Sequence, residues 1–155
     1  NEARFNTAKN AEEIAETLVD VSEFDLTQRE LGKLAQVNGV NSEVKALGKM
    51  METYHDESYK DLTGLSKTRN ISVPTAITED GQKEYEDLKK VAPKNFDRDY
   101  LREVLKDHKN AIDEFSKEAQ KTADVEVKAF LERKVTSLTE HHKATEALAI
   151  KLNIK

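Results

Sequence analysis

The chain has no cysteine and no tryptophan, and only two prolines and five glycines in 155 residues. Without cysteine there is no disulfide framework, no thiol nucleophile and no thiolate-ligated zinc or iron–sulfur centre. The glycines (Gly32, Gly39, Gly48, Gly64 and Gly81) are dispersed, and none opens a phosphate-cradling fingerprint. No Gly-x-Ser-x-Gly elbow occurs, so a hydrolase nucleophile of that kind has no carrier. Apolar runs fall well short of the ~20 residues that a membrane-spanning helix needs. Thirty acidic against 25 basic residues give a net charge of −5, with lysines interleaved among acids, which argues against nucleic acid as a partner. The chain opens on Asn1, not methionine, and removal of an N-terminal targeting segment is the expectation.

What is present is a helix-forming composition, 37% hydrophobic and 35% charged, in a chain of a length that suits one domain with one core. Apolar residues recur at three-and-four spacing in four segments, which predicts an all-α fold of four long helices. The first runs from about 11 to 37 with Ile14, Leu18, Val21, Phe24, Leu31 and Leu34 inward, and stops at Asn38-Gly39, read as a left-handed terminus. The second covers about 42–69 on Val44, Leu47, Met51, Tyr54, Leu62 and Leu65; Val73-Pro74 then forces extended chain.

A third long helix spans about 95–121 on Leu101, Val104, Ile112 and Phe115. A fourth, capped by Asp124, spans about 124–153 on Val127, Phe130, Leu131, Leu138, Leu148 and Leu152. Between the second and third lie about 25 residues with a short predicted helix from Glu79 to Val91, closed by Pro93. Two hairpins joined by so long a crossover predict a ferritin-like antiparallel four-helix bundle within a single domain, 1–155.

Histidine and carboxylate are the groups left to carry chemistry. The seam of the second helix (Val44, Gly48, Met51, His55, Ser58, Leu62) places His55 inward at mid-helix, and that of the third (Leu101, Val104, His108, Ala111, Phe115) does the same for His108. On the fourth, Val127, Leu131, Leu138, His141, Thr145 and Leu148 share a stripe with His142 at its edge. Asp25 and Gln28 interrupt the first helix's stripe, and counting back from the turn near residue 40 sets Asp25 level with His55. The same count on the other hairpin sets His108 opposite Glu140 or Ser137.

His55, His108, His141 and Asp25 are thus a candidate ligand set for one divalent ion, zinc, iron or manganese, since imidazole and carboxylate suit all three. The alternative is a polar layer in which Asp25, Gln28, Ser58 and Thr145 hydrogen-bond the imidazoles and fix helix register. A carboxylate-bridged di-iron centre is disfavoured: Glu52-Thr53-Tyr54-His55 is the single Glu-x-x-His at mid-helix, and Asp107-His108 and Glu140-His141 have the wrong spacing. The acidic run from Glu79 to Asp87 reads as the solvated face of the crossover helix.

Several segments in order, Glu30-Leu31-Gly32-Lys33-Leu34-Ala35, Val44-Lys45-Ala46, Met50-Met51 with His55, and Asp97 with Tyr100-Leu101, resemble a bacterial family of unknown function often labelled predicted outer-membrane protein. Asp107-His108-Lys109, Phe115 with Lys117-Glu118-Ala119, Val127-Lys128-Ala129-Phe130 and Leu138 with Glu140-His141 continue that order. The resemblance implies a ferritin-like bundle, exported to the periplasm or outer envelope of a Gram-negative bacterium, and recurrent histidines at His55, His108 and His141. It implies no known reaction. Gln28, Tyr54 and Ser116 stand where relatives commonly carry acids, which weakens the metal reading. Two functions are therefore expected in competition: a non-enzymatic envelope protein acting on an envelope partner, and a ferritin-like binder of one divalent metal.

Overall fold

A computed structural model describes residues 2–154, with side chains described from residue 7. Asn1 and Lys155, the ends of the expected domain, lie outside the described residues. Five helices follow in order: α1 (Glu2–Asn38), α2 (Ser42–Thr68), α3 (Glu79–Lys89), α4 (Pro93–Lys121) and α5 (Val125–Lys151), with no strand among the described residues. The bundle is built from two hairpins, α1 with α2 and α4 with α5. They meet through α1 against α4 and α2 against α5, and the short α3 lies on α1 and α4.

Helix termini are set by local chemistry. Asn41, Thr78 and Asp124 each accept a backbone N–H of the following helix as N-caps. α2 and α5 end on left-handed asparagines, Asn70 (φ 55°) and Asn153 (φ 59°). In each, the N–H after the asparagine returns to a carbonyl five residues back, Ile71 to Ser66 at 2.9 Å and Ile154 to Ala149 at 2.8 Å. The two ends of the bundle are tied separately. Asp97 of α4 accepts the N–H groups of Val40 and Asn41 at the α1–α2 turn (3.0 and 2.9 Å). At the other end Arg69 makes a bidentate pair with Asp124 (2.7 and 2.8 Å).

Three local expectations need correction. α1 starts at Glu2, well before 11, because residues 7–13 are exposed and show no apolar stripe for periodicity to detect. Gly39 is not left-handed; no glycine has positive φ. Pro93 does not merely close the crossover: it occupies the first turn of α4, where its missing N–H costs nothing, so that helix begins two residues before Asn95.

The core divides into two apolar clusters. One, toward the α1–α2 turn, holds Leu31, Val44, Met51, Phe96, Tyr100, Leu101 and Val104; the other holds Leu18, Val21, Leu62, Phe115, Val127, Leu131 and Leu138. Between them each long helix contributes buried polar groups: Asp25 and Gln28, His55 and Ser58, His108, then Lys134, His141 and Thr145. Burying so many polar groups at one level is costly unless each finds a partner, so this layer is where chemistry is concentrated.

Candidate metal centre

α2, α4 and α5 carry His55, His108 and His141 into this layer, with 0%, 0% and 9% of their surfaces exposed. Their ring centroids form a near-equilateral triangle: 5.6 Å from His55 to His108, 6.1 Å from His55 to His141 and 5.9 Å from His108 to His141. One nitrogen from each ring lies within 4.8 Å of the other two. His142, the other candidate on α5, is only half-buried and outside the group.

Hydrogen bonding orients two of the rings. His55 Nδ1 lies 2.7 Å from Asp25 Oδ1, and His108 Nδ1 lies 3.0 Å from the Val104 carbonyl. Each Nδ1–H donates to its oxygen, which leaves the lone pair on Nε2. His55 Nε2, His108 Nε2 and His141 Nδ1 are buried and have no hydrogen-bond partner. Burial pulls the basicity of all three imidazoles down, His108 furthest and His141 to about 4, so the rings are neutral near pH 7. Neutral imidazoles with open lone pairs are the form that a metal ion takes.

Asp25 does not join the three nitrogens. Its Oδ1 sits behind His55 and also accepts from Lys134 Nζ at 2.5 Å; Lys134 in turn donates to Ser58 Oγ at 2.7 Å. Burial raises the Asp25 carboxyl, but Lys134 and His55 outweigh it and hold it below the usual range. Burial pulls the Lys134 ammonium down despite Asp25. Lys134 is the member of the buried polar layer that periodicity missed. It fills the one empty position, between Leu131 and Leu138, of a stripe otherwise read correctly.

The hydrogen-bonded imidazole layer expected as the alternative forms only in part. Asp25 serves His55, but Gln28 donates to Asp107 (3.0 Å), Ser58 receives Lys134, and the Thr145 hydroxyl donates to the His141 carbonyl (2.7 Å). Glu52, three residues before His55, accepts from Gln36 at 2.8 Å, and Glu140 is exposed. Around the triangle the rings of Phe24 and Tyr54 make edge contacts, Phe24 to His55 and His108 at 5.3 and 5.4 Å, Tyr54 to His55 and His141 at 4.8 and 4.5 Å.

The outer face of Phe24 lines a cleft of about 320 Å³ whose walls carry Asp20, Glu23, Asp80, Glu84, Asp107 and Glu114. At the edge of this cleft one carboxylate oxygen each of Glu84, Asp107 and the adjacent Glu103 lies within 4.8 Å of the others. Burial first, then the neighbouring Asp107 and Glu103, pushes the Glu84 carboxyl up to about 11.

Residues 2–148 match the model of a family described as "Domain of unknown function (DUF4142)". The chain belongs to this family. No curated protein and no solved structure matches it. The matched segment of the DUF4142 chain contains His55, His108, His141, Asp25 and Lys134, so the buried layer lies wholly inside the family domain.

Proposed function

We propose that this DUF4142 chain is a non-enzymatic protein of the bacterial cell envelope, with ferritin-like helix connectivity, that holds one divalent metal ion on His55, His108 and His141. The observation that carries the reading is a cluster of three buried imidazoles, each with a ring nitrogen that has no hydrogen-bond partner, with one nitrogen of each ring within 4.8 Å of the other two. Each buried polar atom left unpaired costs about 1–3 kcal/mol. A metal ion would satisfy all three together. Asp25 then acts on the ligand His55 as an orienting and charge-donating partner, the usual arrangement behind a metal-bound imidazole.

The fit to ion type follows from the donors. Three imidazole nitrogens favour zinc or iron over calcium or magnesium. A tetrahedral ion bonded at about 2.0–2.1 Å needs its ligands about 3.4 Å apart. One nitrogen of each ring already lies within 4.8 Å of the other two, within reach of that spacing by small side-chain rotations. Envelope placement rests on the family resemblance in the sequence, and no helix of the described residues is long and apolar enough to cross a membrane. The ferritin-like reading rests on two hairpins joined through a crossover that contains α3.

The test is elemental mass spectrometry on protein purified without a metal-affinity column, with thermal melts in EDTA, Zn²⁺, Mn²⁺ and Fe²⁺, on wild type, His55→Ala and His108→Ala. Near-stoichiometric metal, lost in both variants, with a Tm that chelator lowers, is expected. Asp25→Asn is expected to keep the metal at about 10- to 100-fold weaker affinity. Metal-free protein indifferent to every ion would leave the imidazoles as structural groups.

A further inference from the structure

We infer that Lys134 sets the affinity of the imidazole centre: its buried ammonium opposes an incoming cation, so that the centre takes up and releases its ion instead of retaining it. The inference rests on the metal reading above and concerns how that same site is regulated.

Lys134 lies inside the layer, two turns before His141 on α5, with its side chain 1% exposed. Its Nζ donates to Asp25 Oδ1 at 2.5 Å and to Ser58 Oγ at 2.7 Å, and stands 5.8 Å from the centre of the Phe24 ring and 5.2 Å from that of Tyr54. Acceptor oxygens and ring faces are the neighbours that suit an ammonium. The same two rings are in edge contact with the triangle, Phe24 with His55 and His108, Tyr54 with His55 and His141. The lysine and the imidazoles therefore share both aromatic walls.

The balance of charge in the layer gives the consequence. Asp25 of α1 is the one buried carboxylate among the described residues, and His55 of α2, His108 of α4 and His141 of α5 are neutral. Without metal, Asp25 and Lys134 cancel. A divalent ion adds two positive charges where the single anion is already engaged, and engaged through Oδ1, the oxygen that orients His55; Oδ2 is buried without a partner. Burial is the main cause of the lowered basicity of the three imidazoles, and the field of Lys134 adds to it at every one of them. An ion bound to those nitrogens meets the same field with twice the charge of a proton. Even about 10 Å apart, at an effective dielectric of about 20, a single and a double positive charge oppose each other by more than a factor of ten in binding.

The test reads zinc affinity by competition with a chromophoric chelator, at fixed pH and ionic strength, on wild type, Lys134→Met and Lys134→Gln, with a metal-free melt of each. Lys134→Gln removes the charge but keeps an N–H for Asp25 or Ser58, and so tests the inference even if Lys134→Met does not fold. Zinc at least tenfold tighter than in wild type is expected in both, although Lys134→Met melts lower without metal. A lysine with a purely structural role would instead give weaker binding as the fold loosens. Zinc held by the variants but not by wild type would support the opposition and remove the wild-type site. Equal or weaker zinc binding in the folded variants overturns the inference and leaves the metal reading standing, whereas no zinc in any of the three chains overturns both.

Discussion

Lys134 is a cation in an apolar interior, and its burial is tolerable because Asp25 lies 2.5 Å away and Ser58 accepts a second hydrogen bond. Removing one partner of such a pair leaves a buried charge uncompensated, at about 3–5 kcal/mol, whereas removing both charges is often neutral or stabilising. Lys134→Met should therefore destabilise the chain by about 3 kcal/mol, at the low end because His55 still bonds Asp25. Adding Asp25→Asn to it, which keeps an oxygen for His55 Nδ1–H, should recover most of that loss. Urea unfolding of both singles and the double gives the coupling, and simple additivity would mean that the ion pair does not act as a unit. At this scale the inward positions of His55, His108 and His141 are legible because all three fall on apolar seams. Lys134 is not, because a hydrophobicity pattern steps over a lysine. What could reveal it is the gap at 134 in a regular stripe, together with a buried aspartate in need of a cation.

At the scale of elements, α1 and α2 pack backbone to backbone where Gly32 meets Gly48. A Cβ on Gly32 would lie 2.5 Å from the Gly48 carbonyl oxygen and 2.9 Å from Glu52 N, and neither atom can swing aside as a side-chain end can. Gly32→Ala should push the helices apart and cost about 1–3 kcal/mol, a Tm loss of roughly 2–4 °C per kcal/mol in a domain this size. Gly64, on the outer face of α2, has nothing within 4 Å of its would-be Cβ, so Gly64→Ala should raise stability by about 0.5–1 kcal/mol. A pair of melts showing the same sign for both would contradict the close-packing account. The long helices follow from three-and-four spacing, and the caps at Asn41 and Asp124 from residue type. The helix termini at Asn70 and Asn153 do not, since asparagine turns left-handed only where the return hydrogen bonds are already in place. Nor does the approach of Glu84 to Asp107 follow from sequence. It depends on how α3 docks, and a helix that buries one leucine and one glycine leaves little pattern to read.

For the whole molecule, the net charge of −5 is unevenly spent, because one cleft gathers six acids and no base. Glu114, on its α4 wall, is pushed up to about 7, first by burial and then by Asp20 of α1; Glu118 and Glu23 press in the same direction, and Asp80 and Glu84 of α3 and Asp107 of α4 line the same cleft. A carboxyl raised in the folded state favours folding while protonated, and that contribution fades as pH climbs from the ordinary value of about 4.5 through about 7. The buried histidines act with the opposite sign, weakening the fold as pH falls below their unfolded values, so wild-type stability alone would mix the two. Comparison with Glu114→Gln isolates the carboxylate. The variant's Tm should nearly match wild type at pH 4.5 and exceed it by pH 8, with the gap opening across pH 5–7. Asp20→Asn should produce the same trend more weakly, by removing the charge that opposes Glu114 ionisation. A gap that is constant with pH would show that Glu114 titrates as an ordinary surface acid and that the cleft does not concentrate negative potential.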